Sequence, residues 1–145
     1  MKAKEYLLSI KNLMCIIAND KQKANIYREM AVSPSSSSVD GDRVCTSPSE
    51  CAQFEQFIHK AEAVEETVNQ KYDILQRMKA EMFQQIMMID NCVYCRILSL
   101  RYIDLLSWEQ ISDSVSLSQS HVYRLHRQAL DEFEKIFQHT QKDSA

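Results

Sequence analysis

The stretch SWEQISDSVSLSQSHVYRLHRQAL, residues 107–130, decides the fold of this chain. Its first part carries apolar residues at helical spacings of three and four, namely Trp108, Ile111 and Val115. Its second part repeats the pattern with Val122, Leu125 and Ala129. Between them, Leu117 closes a short corner, and Ser118 is placed to cap the second helix because its hydroxyl can accept from a first-turn amide. Two short helices joined in this way predict a helix-turn-helix, whose apolar stripe needs a third helix to cover it.

Composition and charge are those of an ordinary soluble protein. Of the 145 residues, 45% are hydrophobic and 26% are charged, which is typical of a globular chain. The net charge of -3 weighs against a protein that coats nucleic acid by charge alone, but it allows a local basic face. No apolar run approaches the roughly 20 residues that span a bilayer, and the amphipathic start is not a secretory signal. We therefore expect a cytoplasmic protein without membrane contact, whose five cysteines stay reduced.

The residues that break helices are confined to one short segment. The chain has one glycine, Gly41, and two prolines, Pro34 and Pro48, and all three lie between Val32 and Glu50. Because hairpins of strands usually need such turn residues, and because strong alternation of polar and apolar residues is absent, the sequence predicts an all-α fold.

Residues 1–90 are predicted to form a long antiparallel helical hairpin. A first helix is expected at about 2–31, a flexible loop at 32–49, and a second helix at about 50–89 with Ser49 as its cap. Because a two-helix hairpin buries little surface per residue, we expect a third helix or a second copy of the chain to cover it.

Four methionines near the end of the second helix admit two interpretations. They are Met78, Met82, Met87 and Met88. They either form an adaptable groove for a partner or fill the seam between helices, and the general preference of methionine for the interior favours the seam.

The next segment, 91–140, is predicted to form the helix-turn-helix domain, with a frayed tail at 141–145. Asp90 and Asn91 interrupt the apolar pattern and are placed to cap a helix at about 92–105. That helix is the expected third member, which covers the stripe of the helix-turn-helix.

The candidate functional surface is the polar side of the second helix of this domain. From residue 114 to residue 130 the chain has no acidic residue, whereas it has Arg124, Arg127, His121 and His126. Arginine, glutamine and serine side chains at the start of an exposed helix can reach base edges and phosphates of duplex DNA. The predicted DNA-binding residues are Ser118, Gln119, Ser120, His121, Tyr123, Arg124, Arg127 and Gln128. The alternative is an ordinary solvated helix face without a ligand. The helix-turn-helix frame favours DNA binding over that alternative.

No residue pattern supports catalysis, a metal site or a cofactor, so we do not expect an enzyme. Cys92 and Cys95 form a C-x-x-C pair, but a structural zinc ion needs four ligands and no second suitable pair lies nearby. We interpret both cysteines as reduced and structural, with zinc or redox chemistry as the alternative. His121 and His126 are five residues apart and do not share a helix face, which makes them a poor metal pair.

Several segments of the C-terminal half occur in the order of a known family. They are Leu100-Arg101-Tyr102, Leu106-Ser107-Trp108-Glu109-Gln110-Ile111, Ser118 and the run VYRLHRQAL at 122–130. Together these segments resemble region 4 of bacterial RNA polymerase sigma factors, which implies a domain that reads promoter DNA and docks on the polymerase. The resemblance implies that five positions face the DNA, namely Gln119, Ser120, Tyr123, Arg124 and Arg127. Ser116 stands where that family often has a turn glycine.

The whole layout is similar to small phage and prophage transcriptional regulators of the RinA and ArpU type. Those proteins carry a segment like Gly41-Asp42-Arg43-Val44 between two N-terminal helices. Nothing upstream resembles the promoter-melting and core-binding region of a complete sigma factor, so the resemblance implies a regulator that recruits or contacts RNA polymerase. The expected partners are double-stranded DNA, RNA polymerase and a second copy of the chain bound through the N-terminal hairpin. The alternative is a helical interaction protein that binds polymerase or a sigma factor without reading DNA, and the net charge of -3 supports it.

Overall fold

The computed structural model describes residues 1–32 and 48–145. Its helices, in chain order, are α1 (Ala3–Val32), α2 (Pro48–Ile86), α3 (Cys92–Leu98), α4 (Trp108–Val115) and α5 (Gln119–Asp143), with a π-helical turn at Ser99–Ile103 between α3 and α4. The described residues contain no strand, which confirms the predicted all-α class. None of these helices combines the length and the hydropathy that a membrane span requires. Residues 33–47 of the predicted loop, with the Gly41-Asp42-Arg43-Val44 segment, lie outside the described residues.

The ends of the long helices differ by a few residues from their predicted positions. α2 begins at Pro48, so Ser49 lies inside the helix and is not its cap. Proline suits a first helical position because its missing amide proton would have no partner there. α5 continues to Asp143 and takes in most of the segment that was predicted as a frayed tail. Buried Phe137 anchors this last part of the helix.

The chain forms two compact units. Unit 1 comprises Met1–Met14 and Ile74–Ala145, and unit 2 comprises Cys15–Asp73. Residues 74–90 therefore group with the C-terminal helices, whereas the sequence pattern assigned them to the hairpin. One reason is the buried Cys95 of α3, whose thiol donates to the carbonyl oxygens of Ile86 and Ile89, each 3.2 Å away.

Unit 2 is an antiparallel pair of helix segments from α1 and α2. Asp20 pairs with Lys71, and farther along α1, Arg28 donates to Glu65 at 2.7 Å. Residue numbers along α1 therefore increase as those of their partners on α2 decrease, so the two segments run in opposite directions. The antiparallel arrangement predicted for residues 1–90 is thus found in 15–32 and 48–73, the described part of unit 2. The buried side chains between the helices are Ile17, Ala24, Ala61 and Val68.

Unit 1 contains the bulky part of the core. The largest fully buried side chains in the described residues all lie in it, namely Phe133, Leu7, Ile10, Met82, Ile86, Ile97, Leu98, Ile111 and Val122. The start of α1 joins this core through Tyr6, whose ring centroid lies 6.5 Å from that of Phe133 and 5.1 Å from that of Phe137. Burial of the Tyr6 side chain raises the pKa of its phenol, and the negative charge of Glu81 adds to the effect.

The connection from α3 to α4 departs from the predicted helix at 92–105. The α-helix ends at Leu98, and the following turn widens until the amide of Asp104 bonds to the carbonyl of Ser99 at 3.1 Å. Leu105 then adopts a left-handed conformation with φ of 57°, which ends the helical path. A side chain stabilises this exit, because Arg101 donates to the carbonyl oxygen of Leu106 at 2.9 Å.

Polar side chains cap the N-terminal ends of α3, α4 and α5. The side-chain oxygen Oδ1 of Asn91 accepts from the backbone amide of Val93 at 3.0 Å, as the predicted cap requires. Ser107 and Gln110 form a capping box, in which each side chain accepts from the other residue's amide. The hydroxyl of Ser118 accepts from the amide of His121 at 3.3 Å, which confirms the predicted cap of α5.

The four methionines divide between the two interpretations. Met82 is fully buried and Met78 is half-buried, so these two fill the seam. Met87 and Met88 are 55% and 60% exposed at the end of α2.

Candidate nucleic-acid interface

The candidate interface rests on a three-helix frame in unit 1. Ile97 of α3, Ile111 of α4 and Val122 of α5 are fully buried against one another. Partly buried apolar residues surround them, namely Leu100, Leu106, Trp108, Val115, Leu117 and Leu125. α3 is therefore the third helix that the stripe of 107–130 requires, as predicted.

A tight turn at Ser116 sets the path from α4 into α5. Ser116 is left-handed, with φ of 55° and ψ of 41°, which is the conformation that glycine adopts most readily. The amide of Leu117 donates to the carbonyl of Ser112 at 3.2 Å, and the hydroxyl of Ser112 donates back to the carbonyl of Leu117. These bonds close the corner and leave Ser118 ready to cap α5.

The first three turns of α5 present most of the predicted DNA-binding side chains to solvent. The exposed ones are Ser118, Gln119, Ser120, Tyr123, Arg124, Arg127 and Gln128. His121 is half-buried and lies at the margin of this surface. Within the described ranges, neither Arg124 nor Arg127 forms an ion pair with a carboxylate. The arrangement thus offers two guanidinium groups and several short polar side chains on one exposed helix face, which we call the α5 face.

His126 does not belong to the α5 face, although the sequence analysis counted it among the basic residues there. Its Nε2 lies 3.0 Å from the hydroxyl of Tyr102, and its ring centroid is 4.7 Å from that of Trp108. Burial lowers the pKa of His126 to about 4, and the positive charges of Arg101 and Lys4 contribute. At neutral pH the residue is therefore an uncharged, half-buried side chain packed against Trp108.

Trp108 connects the start of α4 to both neighbouring elements. The Arg101 guanidinium lies 4.3 Å from the centroid of its indole, which is a cation–π geometry. On α5, the ring of Tyr123 lies 4.9 Å from the same indole. The sequence places Trp108 in an apolar stripe but gives no indication of its contacts with Arg101 and Tyr123.

A further residue missed from the sequence is Tyr94 of α3. Its hydroxyl donates to Oε1 of Gln128 at 2.9 Å, so one predicted DNA-binding side chain is held by a neighbouring helix. Nothing in the apolar periodicity could have indicated this pair, because Tyr94 lies off the buried stripe of α3.

Charge is unevenly divided between the two units. Unit 1 has 11 Lys and Arg residues against 10 Asp and Glu residues, whereas the described part of unit 2 has 5 against 8. The excess of negative charge among the described residues therefore lies in unit 2, while the unit that carries the α5 face is slightly positive.

The cysteine pair of α3 is split between surface and interior. Cys92 is exposed, whereas Cys95 is buried, and burial raises the pKa of the Cys95 thiol. Among the described residues, no group of three or more potential ligand side chains is placed to hold a metal ion.

Comparison with known proteins yields one match. The chain matches a family model described as a protein of unknown function (DUF1492) over residues 49–134, a range that begins near the start of α2 and extends into α5. No curated protein and no solved structure matches the chain.

Proposed function

Since the chain belongs to the DUF1492 family of proteins of unknown function, we propose its role from the geometry of its helix-turn-helix. The protein is a sequence-specific DNA-binding transcriptional regulator, and α5 is the recognition helix that enters the major groove. The observation that carries the proposal is the α5 face, which combines exposed Arg124 and Arg127 with exposed amide and hydroxyl side chains on a supported helix.

The chemistry of the α5 face suits duplex DNA. Arginine can donate two parallel hydrogen bonds to guanine and can also pair with phosphates, whereas glutamine can bond adenine through both ends of its amide. Arg124 and Gln119 are exposed on the first two turns of α5, where a recognition helix makes its base contacts. Without acidic residues from 114 to 130, no carboxylate on this part of the chain repels the DNA backbone.

The uneven distribution of charge also supports the proposal. A net charge of -3 argues against DNA binding only when it is spread over the whole surface. Here the negative excess of the described residues lies in unit 2, so the chain can approach DNA through unit 1.

The resemblance to sigma region 4 adds a mechanism to the proposal. A domain of this size does not melt a promoter alone, so we propose that it acts by recruiting or contacting RNA polymerase at the site where α5 holds the DNA. On the same resemblance, the protein is a phage-derived regulator similar to the RinA and ArpU type.

Gel shifts over a series of salt concentrations test DNA binding through α5. The probe is a duplex pool with a randomised centre, and the variant is the double change Arg124→Ala with Arg127→Ala. We expect the variant to bind more weakly, with a salt dependence reduced by up to about 2 in slope, because each lost phosphate contact removes about 0.9. The matched control removes two cations from the other end of the same helix, Lys135→Ala with Lys142→Ala, and should leave binding nearly unchanged. Absence of binding by the wild type at low salt, or equal effects of both double variants, would overturn the proposal.

A second candidate function is suggested by an exposed apolar surface at the end of α2. Phe83, Met87 and Met88 are 47%, 55% and 60% exposed, which suits a protein contact. In this alternative the chain is a helical adaptor that binds RNA polymerase or a sigma factor without reading DNA. Binding to purified RNA polymerase that persists in the Arg124→Ala, Arg127→Ala variant, together with no DNA binding by the wild type, would favour it.

A further inference from the structure

Gln128 differs from the other polar residues of the α5 face because a second helix holds its side chain. The hydroxyl of Tyr94 donates to its Oε1 at 2.9 Å. Tyr94 is half-buried and stands in the first turn of α3, where Asn91 accepts from the backbone amides of Val93 and Tyr94. The hydroxyl therefore projects from a capped and packed helix, which gives it a defined position beside Gln128.

This hydrogen bond limits what Gln128 can do at a DNA surface. A glutamine amide reads adenine by accepting from N6 and donating to N7, so it needs its oxygen and its nitrogen together. The bond from Tyr94 takes up one acceptor position of the amide oxygen and restrains the amide, whereas the NH2 group has no hydrogen bond among the described residues, so the group left free is a donor. A phosphate offers only acceptors, so it matches this group without requiring the amide oxygen.

The position of Gln128 on α5 agrees with that chemistry. Gln128 lies one turn after the outward Arg124, about 40° around the helix from it at 3.6 residues per turn, in the third turn of α5 and beside Tyr94 of α3. The N-terminal residues of a recognition helix contact base edges, so a residue of the third turn beside a neighbouring helix is better placed for the sugar-phosphate backbone.

We propose that Tyr94 is a positioning residue that makes Gln128 a hydrogen-bond donor to a DNA phosphate rather than a reader of bases. The inference rests on the proposed function, since it specifies how the α5 face divides between backbone contact and base recognition. Base recognition then falls to the first two turns of α5, where Gln119 and Arg124 are exposed and carry several hydrogen-bonding groups each.

The test combines a double-mutant cycle with a measurement of base preference. The variants are Tyr94→Phe, Gln128→Ala and the double change, and the ligand is the duplex that the wild type enriches most from a randomised pool. We expect each single change to weaken binding by about two- to tenfold, the range for one hydrogen bond. The double variant should bind no more weakly than Gln128→Ala, because Tyr94 acts through Gln128. Thermal melting of each variant checks that the fold is kept.

Base preference separates positioning from a merely structural role. Pools enriched by Tyr94→Phe and by Gln128→Ala should show the same consensus as the wild type, whereas Gln119→Ala, the matched control, should change it. Gln128→Glu keeps an acceptor for Tyr94 but places a negative charge at the phosphate, so it should bind more weakly than Gln128→Ala.

Three other outcomes would each refute one part of the proposed role of Tyr94 and Gln128. A changed consensus for Gln128→Ala would make Gln128 a base reader, and additive losses in the double variant would mean that Tyr94 does not act through it. Unaltered binding of Tyr94→Phe would equally refute the positioning role. All three results presuppose wild-type binding, so they leave the proposed function standing, whereas a wild type that enriches no duplex at low salt refutes the proposed function and this inference with it.

Discussion

At Trp108 of α4, side chains from two other elements meet around the indole. Arg101 lies on it from the π-helical turn, and Tyr123 and His126 contact it from α5. The orientation of α5 relative to α4 therefore depends on polar and aromatic contacts as well as on the apolar stripe. Periodicity predicts that Trp108 faces inward, but it contains no information about which residues meet it across the helix boundary.

His126 gives this cluster a dependence on pH. Its pKa is lowered to about 4 in the folded chain, against an ordinary value of 6.5, because burial and the charges of Arg101 and Lys4 disfavour the protonated ring. The unfolded chain therefore binds a proton more readily than the folded chain between these two values. The stability contributed by neutral His126 is complete above about pH 6.5 and is lost as the pH falls toward 4.

We expect the substitution His126→Phe to reduce this loss. The free energy of unfolding of the wild type should fall relative to that of the variant as the pH is lowered from 6.5 toward 4, because phenylalanine has no proton to take up. Urea unfolding at several pH values across the range measures the difference. The control is His139→Phe, at an exposed position on the same helix. If the free energy of unfolding of the wild type falls by the same amount relative to His139→Phe, the pH dependence comes from groups other than His126.

At the scale of elements, the turn between α4 and α5 tests the role of backbone conformation. Ser116 is left-handed, a region in which residues with a Cβ are disfavoured by about 1–2 kcal/mol. Glycine relieves that strain but loses more conformational freedom on folding, so Ser116→Gly should stabilise the chain by only about 0.5–1 kcal/mol. Denaturant unfolding measures the change, and DNA affinity should be unaltered because Ser116 makes no part of the α5 face.

The matched control for this prediction is the same substitution in a helical position. Ser114 lies two residues earlier, is exposed, and belongs to α4. Ser114→Gly should destabilise the chain, because glycine is unfavourable inside a helix and the hydroxyl that accepts from Arg96 at 3.2 Å is lost. If both substitutions destabilise the chain, conformational strain at Ser116 does not limit its stability.

The same elements show what the sequence predicts and where prediction stops. The spacing of apolar residues predicts α4 and α5, and Ser118 as a cap follows from its local chemistry. The π-helical turn was missed because it depends on interactions that no periodic pattern encodes. These are the left-handed Leu105 and the bond from Arg101 to the carbonyl of Leu106. The left-handed conformation of Ser116 was not predicted either, because serine carries no signal for it.

At the scale of the whole molecule, the division into two units was not predictable from the pattern. The apolar seam of each long helix continues across the boundaries at Met14 and Ile74 without interruption, so the sequence describes one hairpin. The two units differ in the size of their buried side chains. Unit 2 buries small or β-branched residues such as Ala24 and Ala61, whereas the largest fully buried side chains belong to unit 1. A periodic pattern counts apolar positions and does not weigh how much area each one buries.

Hydrogen exchange measures the consequence of this difference. Hydrophobic stabilisation scales with the apolar area that is removed from water, and local opening is easiest where little of it is buried. We therefore expect backbone amides in 15–32 and 48–73 to exchange through openings of lower free energy than amides in α3 and the first half of α5. Equal protection in both units of a dilute sample would contradict this expectation.

The concentration dependence of exchange then tests whether a second copy covers unit 2. Ile16, Ile26 and Met30 of α1 are 47%, 43% and 50% exposed, and they lie at positions that share one side of the helix. If two hairpins associate, amides in unit 2 gain protection as the protein concentration rises, because the associated form resists opening by mass action. Amides around Ile111 should change less, since the helix-turn-helix core is complete within one chain.

Ile16→Ser combined with Ile26→Ser should abolish the gain in protection of unit 2. Ile74→Ser, at an exposed position in unit 1, serves as the matched control. Protection in unit 2 that is independent of protein concentration would mean that a second copy of the chain does not cover the hairpin.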